Sequence, residues 1–357
     1  MRKLASIKKI GALSPIEGRD RIELATIDGW SVIVKKGEFQ VGDSCVYIEI
    51  DSVLPEKPEF EFLRSRGFRI KTLRMVGCIS QGIVFPLTIL PDGVYAIEDD
   101  VTELVGVTQY VPTMDREPLT KPESKLKYPR FLMRRKWFRK LVLRQKRNGE
   151  FPDFIPKTDE VRIQNIPNIL ADKSKWIATE KIDGSSGSFV LKRRKTFLPF
   201  FKDRFEYIVC SRNIRLPQDD GSVYWRVSTK YDIKNKLRRL IGNWEWVAIQ
   251  GECIAPKIQG NKYKVSEPDL YVLNLLYPDG RAGSVIAQKI CEEQGLKFVP
   301  ILQTEYTLPD TVQEVLDYAH GKSKIGDTFR EGIVFRSEDG RRSLKAVDPL
   351  FLMKYDE

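Results

Sequence analysis

A lysine near the middle of the chain is the residue best suited to nucleophilic chemistry. Lys181 lies in Trp176–Phe189, WIATEKIDGSSGSF. The apolar residues at the start of this stretch predict a buried strand, and Asp183-Gly184 predicts the turn that ends it. A lysine nucleophile needs a fixed position and nearby charges that control its protonation, and this place offers both. The alternative is a β-hairpin with an exposed lysine, because four residues alone do not define a site.

More residues of the same chemical kind follow at the ends of predicted strands. In chain order they are Ser211-Arg212-Asn213, Gly251-Glu252, Glu331-Gly332 and Lys345. Strands of one sheet bring such ends together, so we expect two lysines, an arginine and three carboxylates to converge.

The single histidine narrows the chemistry further. His320 follows an apolar-periodic segment and precedes Gly321, which predicts a histidine at a helix C-terminus. Without a second histidine, metal sites built on paired imidazoles are excluded and a Ser-His-Asp triad is disfavoured. Lysines and carboxylates must therefore carry any catalysis.

Length and composition set the broad class of protein. The 357 residues suffice for two domains, and 41% of them are hydrophobic. No apolar run approaches the roughly 18 residues of a membrane span, and the charged N-terminus does not resemble a signal peptide. The five cysteines are scattered without C-x-x-C spacing, so we expect an intracellular protein with no disulfides, no zinc site and no membrane partner.

One segment accounts for the net charge of +11. Residues 125–147 hold eleven lysines and arginines and no acid, which leaves 49 basic and 49 acidic residues elsewhere. Apolar residues at roughly helical spacing within it (Phe131, Phe138, Leu141, Val142) predict an amphipathic cationic helix. Contact with nucleic-acid or nucleotide phosphates is the first interpretation, a membrane-surface helix the second and a solvated helix the third.

The chain divides into three parts by its pattern. Residues 1–110 contain short β-rich runs separated by turn pairs (Ile22–Ile27, Trp30–Lys35, Ser44–Ile50, Ile79–Phe85), which predict a small OB-like barrel. We expect the basic residues between 64 and 74 to line either a groove of this barrel or a solvated face of it. Residues 111–154 form the basic connector helix.

Residues 155–357 mix strands and helices. Predicted strands are Trp246–Glu252, Leu270–Leu276, Glu331–Arg336 and Ser343–Val347, and predicted helices are Tyr231–Ile241, Ser284–Gln294 and Asp310–His320.

The order of these segments resembles the covalent nucleotidyltransferase superfamily of polynucleotide ligases and mRNA-capping enzymes. KIDG resembles motif I, SRN motif Ia, IQGEC motif III, DLYVLNLL motif IIIa, EGIVF motif IV and SLKAVDPLFLMKY motif V. Motif V begins at Lys345 and the sequence ends at Glu357, so we expect no C-terminal OB module after motif V. With KTDEVRIQNIP before motif I and an OB-like module in front, it resembles the ATP-dependent RNA ligases with a leading OB domain.

The resemblance implies an α+β fold, an N-terminal OB-like β-barrel followed by a C-terminal mixed α/β nucleotidyltransferase domain of the ATP-grasp-like ligase adenylation type. It implies three nucleotidyl transfers: Lys181 takes AMP from ATP, AMP passes to a 5′-phosphate end, and a 3′-OH displaces AMP. The cofactors are ATP and Mg²⁺ or Mn²⁺. The partner is RNA, as a nicked duplex, broken ends or RNA/DNA hybrids, in RNA repair, and we expect a monomer.

The resemblance also implies roles for individual residues. Lys181, Asp183, Glu252, Glu331 and Lys345 are the catalytic set, and the three carboxylates hold the metal directly or through water. Arg162, Glu180, Gly184, Arg212, Tyr231 and Lys354 bind ATP: Arg212 holds ribose or phosphate, Tyr231 stacks on adenine and Glu180 accepts from it. The alternatives are packing at a helix start for Tyr231, a surface salt bridge for Arg162 and solvent exposure for Glu180.

Two positions depart from the family pattern. Many RNA ligases carry Lys-x-Lys in motif V, where this chain has Val347, so Lys354 is a candidate substitute. Motif IIIa often shows an aromatic followed by Asp, where this chain has Leu273-Asn274. Two other functions remain open from the sequence: a capping-type guanylyltransferase, and a non-catalytic nucleic-acid-binding protein with an OB module.

Overall fold

The computed structural model describes residues 3–75, 77–110, 149–194, 204–217, 219 and 221–355. The predicted basic helix and its charged run at 125–147 lie almost entirely within residues 111–148, outside the described residues. The sequence prediction for that segment stays a prediction.

Short antiparallel strands and one short helix build the N-terminal part. They are β1 (Ala5–Lys9), β2 (Ala12–Ile16), β3 (Arg19–Ile27), β4 (Trp30–Lys35), β5 (Ser44–Ile48), β6 (Ser52–Val53), β7 (Leu73–Met75), β8 (Cys78–Ser80), β9 (Ile83–Pro86), α1 (Thr102–Val105) and β10 (Thr108–Gln109), with 3₁₀ turns at Pro58–Arg66 and Leu87–Ile89. Among the described residues they pair in the orders β1-β5-β9, β2-β3-β4, β7-β8 and β10-β6. The predicted all-β N-terminal domain is confirmed.

One predicted strand is divided in two. The sequence predicts a continuous strand over Ile79–Phe85, whereas β8 and β9 are separated at Gly82. Gly82 has a φ of +104°, and a Cβ there would lie 2.6 Å from the Tyr47 ring. The left-handed backbone bends the chain where it passes that ring, so a single extended strand cannot form.

The second part begins at Gly149. Its strands are β11 (Gly149–Glu150), β12 (Trp176–Lys181), β13 (Ser185–Arg194), β14 (Arg204–Cys210), β15 (Ile214–Arg215), β16 (Trp246–Ile254), β17 (Asp269–Tyr277), β18 (Gly280–Arg281), β19 (Lys297–Phe298), β20 (Ile301–Tyr306), β21 (Gly332–Ser337) and β22 (Ser343–Val347). Its α-helices are α2 (Val223–Lys230), α3 (Ile233–Leu240), α4 (Ser284–Glu293), α5 (Val312–Ala319) and α6 (Pro349–Tyr355), with 3₁₀ turns at Ile163–Asn165, Pro167–Ala171 and Gln259–Asn261.

Two sheets meet in this second part. The larger has the order β11-β15-β14-β13-β16-β17-β18, with β19 parallel to β17, and the smaller has the order β20-β12-β21-β22. Consecutive strands β12 and β13 belong to different sheets, so the turn between them crosses from one to the other. Lys181 ends β12, and the residues at this crossing therefore face both sheets.

The helices differ from prediction at one important place. The predicted helix Tyr231–Ile241 is α3, which begins only at Ile233, and Tyr231 is the C-cap of α2. Asp232, with a φ of +48°, separates the two helices. The placement of Tyr231 at the start of a helix was therefore wrong.

The prediction that His320 lies at the C-terminal end of a helix is confirmed. Helix α5 begins with a Thr311–Glu314 capping box, and His320 is its C-cap. The His320 Nδ1 lies 2.8 Å from Asp348 Oδ2, which places this histidine in a structural contact. None of the helices in the described part of the chain is long and apolar enough to cross a bilayer.

Candidate active site

Lys181 lies at the end of β12, where it pairs with Gly332 of β21. Its Nζ donates a hydrogen bond to Oε2 of Glu331, the residue that precedes β21. The Lys181 side chain is 22% exposed and that of Glu331 is 17% exposed. The predicted alternative of an exposed lysine on a hairpin is wrong, because Lys181 is half-buried and ion-paired.

Asp183 is held on the crossing turn by two residues that follow motif III. Lys262 Nζ donates to the Asp183 carboxylate, and the Asp183 backbone N–H donates to the Tyr263 hydroxyl at 2.8 Å. Burial and the neighbouring Glu331 raise the pKa of Asp183, while Lys262 and Lys181 oppose that rise. Neither Lys262 nor Tyr263 was predicted as a site residue, and both lie about ten residues beyond motif III.

Glu252 lies on β16 opposite Ser186 of β13. The Ser186 hydroxyl donates to Glu252 Oε2 at 3.1 Å. Burial raises the pKa of Glu252 to about 8. The negative charges of Glu331 and Asp183 contribute to this rise, and the positive charge of Lys181 opposes it. The three predicted carboxylates therefore lie close enough to interact electrostatically.

Gly184 allows the turn to approach β16 closely. A Cβ at this position would lie 2.6 Å from the Cys253 carbonyl oxygen and 2.9 Å from Glu252 Cγ. Any side chain would move Glu252 away from Lys181, so the glycine of motif I is required by packing against motif III.

Lys345 lies on β22 and forms the opposite wall of the site. Its backbone N–H donates to the Val161 carbonyl at 2.8 Å, and its Nζ lies 3.6 Å from Asp159 Oδ1. Burial and the charge of Lys181 lower the pKa of Lys345 to about 8, although Asp159 opposes that shift. Arg162 adds to the lowering, so two cations lie near the Lys345 amine.

Asp159 connects Lys345 to Arg212. The Arg212 guanidinium donates to Asp159 Oδ2 at 2.5 Å. Burial alone would raise the pKa of Asp159, but Lys345 and Arg212 hold it below its ordinary value. Asp159 was not predicted as a site residue, because the adjacent acids Asp159 and Glu160 in KTDEV carry no spacing signal.

Arg162 lies between the two parts of the molecule. Its guanidinium is 5.5 Å from the centroid of the Trp30 ring of β4, and its backbone forms a parallel bridge with Lys345. The predicted alternative of a surface salt bridge does not describe this contact.

Glu180 precedes Lys181 and is fully buried. Its carboxylate accepts hydrogen bonds from the Ser323 hydroxyl at 2.5 Å and from the Lys324 backbone N–H at 2.8 Å. Burial raises the pKa of Glu180, against these two bonds. The alternative of solvent exposure for Glu180 is wrong.

Two predicted site residues do not contact this group in the described structure. The Tyr231 hydroxyl donates to Asp269, which also accepts from Lys297 at 2.6 Å. Lys354 Nζ lies over the rings of Phe329 and Tyr355, 5.0 Å from each centroid. A different aromatic, Tyr271 of β17, lies directly opposite Glu252 and hence on the same face of the sheet.

The two departures from the family pattern have structural explanations. Val347 packs with Ile79 of β8 and Leu352 of α6, so the position of the second motif V lysine contributes an apolar contact to the N-terminal domain. The Asn274 side chain donates to Gln250 Oε1 at 2.9 Å within the larger sheet. Both positions support the fold around the site.

The carboxylates fit a metal held partly by substrate. In the described residues no three His, Cys, Asp or Glu side chains converge closely enough to hold an ion on their own. Asp183, Glu252 and Glu331 nevertheless interact, and burial with mutual repulsion raises the pKa of Glu252, as expected where a cation would be favourable. Mg²⁺ is commonly held by one or two carboxylates, water and substrate phosphates, and this arrangement suits that mode.

Two protein-family models match parts of this chain. A family model described as RNA ligase matches residues 174–355, and an OB-fold domain model matches residues 4–87. No curated protein sequence matches the chain.

Solved structures of a Naegleria gruberi RNA ligase are similar over nearly the whole chain. The structure with PPi is 32% identical and covers 99% of both chains, with a TM-score of 0.73. A lysine-to-alanine variant with ATP and Mn and a glutamate-to-alanine variant with AMP and Mn are each 31% identical over 99% of both chains, with TM-scores of 0.74.

Proposed function

The chain belongs to the RNA ligase family, and from this premise we propose that Lys181 is its nucleophile in an ATP-dependent joining reaction. The observation that supports this proposal most strongly is the arrangement around the Lys181 amine. Glu331 accepts a hydrogen bond from it, Glu252 and Asp183 attract it, and Lys345 repels it. The Naegleria enzyme carries ATP or AMP with Mn, which supports ATP and Mg²⁺ or Mn²⁺ here.

In the first step, Lys181 Nζ attacks the α-phosphorus of ATP. The N–P bond forms, the bond from the α-phosphorus to the bridging oxygen breaks, pyrophosphate leaves and the amine proton passes to solvent. Glu331 accepts a hydrogen bond from Nζ, so this contact must open before the amine can attack. The metal, when bound, supplies positive charge that neutralises the phosphates.

Lys345 and the two arginines provide the positive charge of the protein. Lys345 contacts the α-phosphate and stabilises the charge that develops on its oxygens. When ATP binds, Arg212 releases Asp159 and contacts ribose or phosphate instead. Arg162 supports the side of the site that carries Lys345. Asp183, Glu252 and Glu331 hold the metal directly or through water.

The adenine is bound by Tyr271 rather than by Tyr231. Tyr271 shares the sheet face of Glu252, whereas the Tyr231 hydroxyl is committed to Asp269. The Glu180 carboxylate, which is held by Ser323 and Lys324, borders the same adenine pocket. Gly184 lets the turn between β12 and β13 lie near enough to complete this pocket. An aromatic ring over the base and a buried acceptor beside it suit a purine.

The later steps act on RNA. AMP passes from Lys181 to a 5′-phosphate, and a 3′-OH then displaces AMP to form the phosphodiester. Nicked duplexes, broken ends and RNA/DNA hybrids are the proposed substrates, in RNA repair. We propose that residues 1–110 and the basic residues 125–147 add grip on the strand backbone, because lysine-rich segments bind phosphates by releasing counterions.

The remaining features are proposals of the same kind. The proposed domains are the OB-like domain at 1–110, a connector at 111–154 and the nucleotidyltransferase domain from 155. Strand β11 and the contact between the Phe154 and Trp246 rings attach the last residues of the connector to the nucleotidyltransferase domain. Five free cysteines support an intracellular location. A monomer is expected, and Lys354 is retained only as a secondary phosphate ligand. Membership of the RNA ligase family argues against the capping-type and non-catalytic alternatives.

The test compares two nicked RNA duplexes, one with a 5′-phosphate and one with a 5′-AMP already in place. Lys181→Ala should not seal the first and should retain part of the sealing of the second, because the last step does not use the amine. Lys175→Ala, which removes an exposed lysine that contacts Thr307, serves as the control and should seal both. Equal sealing of the 5′-phosphate nick by Lys181→Ala and the native enzyme would overturn the proposal.

A further inference from the structure

The segment Arg162–Asn165 is held between the two domains. On one side Ile163 is fully buried in a cluster with Leu344 and Ala346, the neighbours of Lys345 on β22. On the other side Asn165 Nδ2 donates to Glu49 Oε2 of the N-terminal domain at 3.3 Å. The segment therefore responds to the position of both domains.

A glycine brings the N-terminal domain against this segment. Gly29, in the turn between β3 and β4, has a φ of +79°. A Cβ there would lie 2.5 Å from Val312 Cγ1 at the start of α5 and 3.4 Å from Gln164 Cγ. The turn thus approaches the C-terminal domain as closely as a bare backbone permits, and a larger residue would push the two apart.

The next residue along the chain, Trp30, supports Arg162. Trp30 is buried and its ring stacks on that of Tyr47, with centroids 6.0 Å apart, so its position is fixed by the barrel. The Arg162 guanidinium lies over this ring at 5.5 Å, within the range of a cation–π contact. The orientation of Arg162 is therefore set by a residue of the other domain.

Arg162 in turn borders a catalytic lysine. The backbones of Arg162 and Lys345 form a parallel bridge, and the Lys345 N–H donates to the carbonyl of Val161. A movement of the Gly29–Trp30 turn is transmitted through Arg162 to the wall that carries Lys345.

We propose that Gly29 and Trp30 are positioning residues for lysyl-AMP formation, and that they act by holding Arg162 against Lys345. This inference rests on the proposed function, in which Lys181 Nζ forms a bond to the α-phosphorus of ATP as pyrophosphate leaves. The N-terminal domain thus takes part in the first chemical step by positioning Arg162 beside Lys345.

The test measures single-turnover lysyl-AMP formation at several ATP concentrations. Gly29→Ala should slow the reaction about tenfold or more at saturating ATP, because a shift of about 1 Å in a catalytic group costs up to a hundredfold in rate. Gly37→Ala is the matched control: Gly37 also lies in a turn of this domain, at a φ of +76°, with no neighbour within 4 Å. It carries the same backbone strain and should react at the native rate.

Two combinations separate positioning from general damage. Val312→Ala removes the atom that Gly29→Ala would strike, so the double variant should recover most of the lost rate. Gly29→Ala should cost nothing further in an Arg162→Ala background, because the effect passes through Arg162. If the rate losses of Gly29→Ala and Arg162→Ala multiply in the double variant, the inference is overturned. It is also overturned if Gly37→Ala loses as much rate as Gly29→Ala.

Trp30 gives an independent comparison. Trp30→Phe keeps an aromatic face under Arg162 and should retain most of the rate, whereas Trp30→Leu should lose about tenfold in kcat with the KM for ATP unchanged. Equal rates for the two would overturn the role of Trp30. Failure of the proposed function would be seen separately, as covalent labelling that persists in Lys181→Ala whatever stands at positions 29 and 30.

Discussion

Lys181 and Glu331 form an ion pair that joins motif I to motif IV across adjacent strands. The pair fixes the Lys181 amine at the end of β12, beside the carboxylates of Asp183 and Glu252. Neutralising Glu331 would therefore remove the contact that positions the nucleophile.

The stability of the metal-free protein should depend on Glu252. Burial raises the pKa of Glu252 to about 8 from an ordinary 4.5, so between these pH values the folded protein holds a proton that the unfolded chain has lost. Stability therefore falls as pH rises through that window. Glu252→Gln cannot ionise and should melt a few degrees above the native protein near pH 8, with little difference near pH 5.

The control for this measurement is Glu245→Gln, which removes one charge at an exposed site. It should follow the native protein at every pH. Parallel melting curves for the Glu252→Gln and native proteins from pH 5 to pH 8 would contradict the assignment of a buried, proton-holding carboxyl to Glu252.

The affinity for AMP should report the charge of Lys345. Burial and Lys181 lower the pKa of Lys345 to about 8, so the free protein loses this positive charge as pH rises past that value. AMP binding, followed by calorimetry, should weaken above pH 8 in the native protein. Lys345→Arg stays charged and should bind AMP with the same affinity on both sides of pH 8. Identical pH profiles for the two proteins would place the phosphate elsewhere.

Tyr271 and Tyr231 make opposite predictions for ATP. Tyr271→Leu should raise the KM for ATP about tenfold or more, because stacking of a base on an aromatic ring contributes about 1–3 kcal/mol. Tyr231→Leu loses the hydrogen bond to Asp269 and should lower stability without changing KM. Steady-state kinetics of both variants decide between them, and the reverse pattern would restore Tyr231 as the adenine-binding residue.

The basic run should govern the salt dependence of RNA binding. Replacing Arg134, Arg135, Lys136, Arg139 and Lys140 with Gln should weaken binding and flatten the plot of log affinity against log salt concentration. Each lost phosphate contact lowers the slope by about 0.7 to 0.9. An unchanged slope would favour a solvated or membrane-facing segment over a phosphate-binding one.

Much of the site could be predicted because each motif lies in a strand or directly beside one. KIDG, GE, EGIVF and the motif V lysine are short local patterns, and sheet pairing then brings Lys181, Glu331 and Lys345 together. Lys262 and Asp159 could not be predicted in this way, since their roles arise only when distant loops fold against Asp183 and Lys345. The left-handed Asp232, which divides the predicted helix and leaves Tyr231 at the end of α2, could not be predicted either.

Solvent exposure of Glu180 was expected for a related reason. A charged residue is seldom buried without partners, and the local sequence offers Glu180 none. The partners of Glu180 come from the Ser323–Lys324 loop, and the ring beside Arg162 comes from Trp30 of the N-terminal domain. Neither partner is close in sequence, so no local pattern could indicate it.

The central claim is that Lys181 carries AMP covalently. Its most direct test is incubation of the protein with α-labelled ATP and Mg²⁺ or Mn²⁺, followed by denaturing electrophoresis. The native protein and the control Lys175→Ala should carry label, and Lys181→Ala and Lys181→Arg should carry none, because arginine does not deprotonate in proteins. A labelled band from Lys181→Ala would place the nucleophile at another residue and contradict the account.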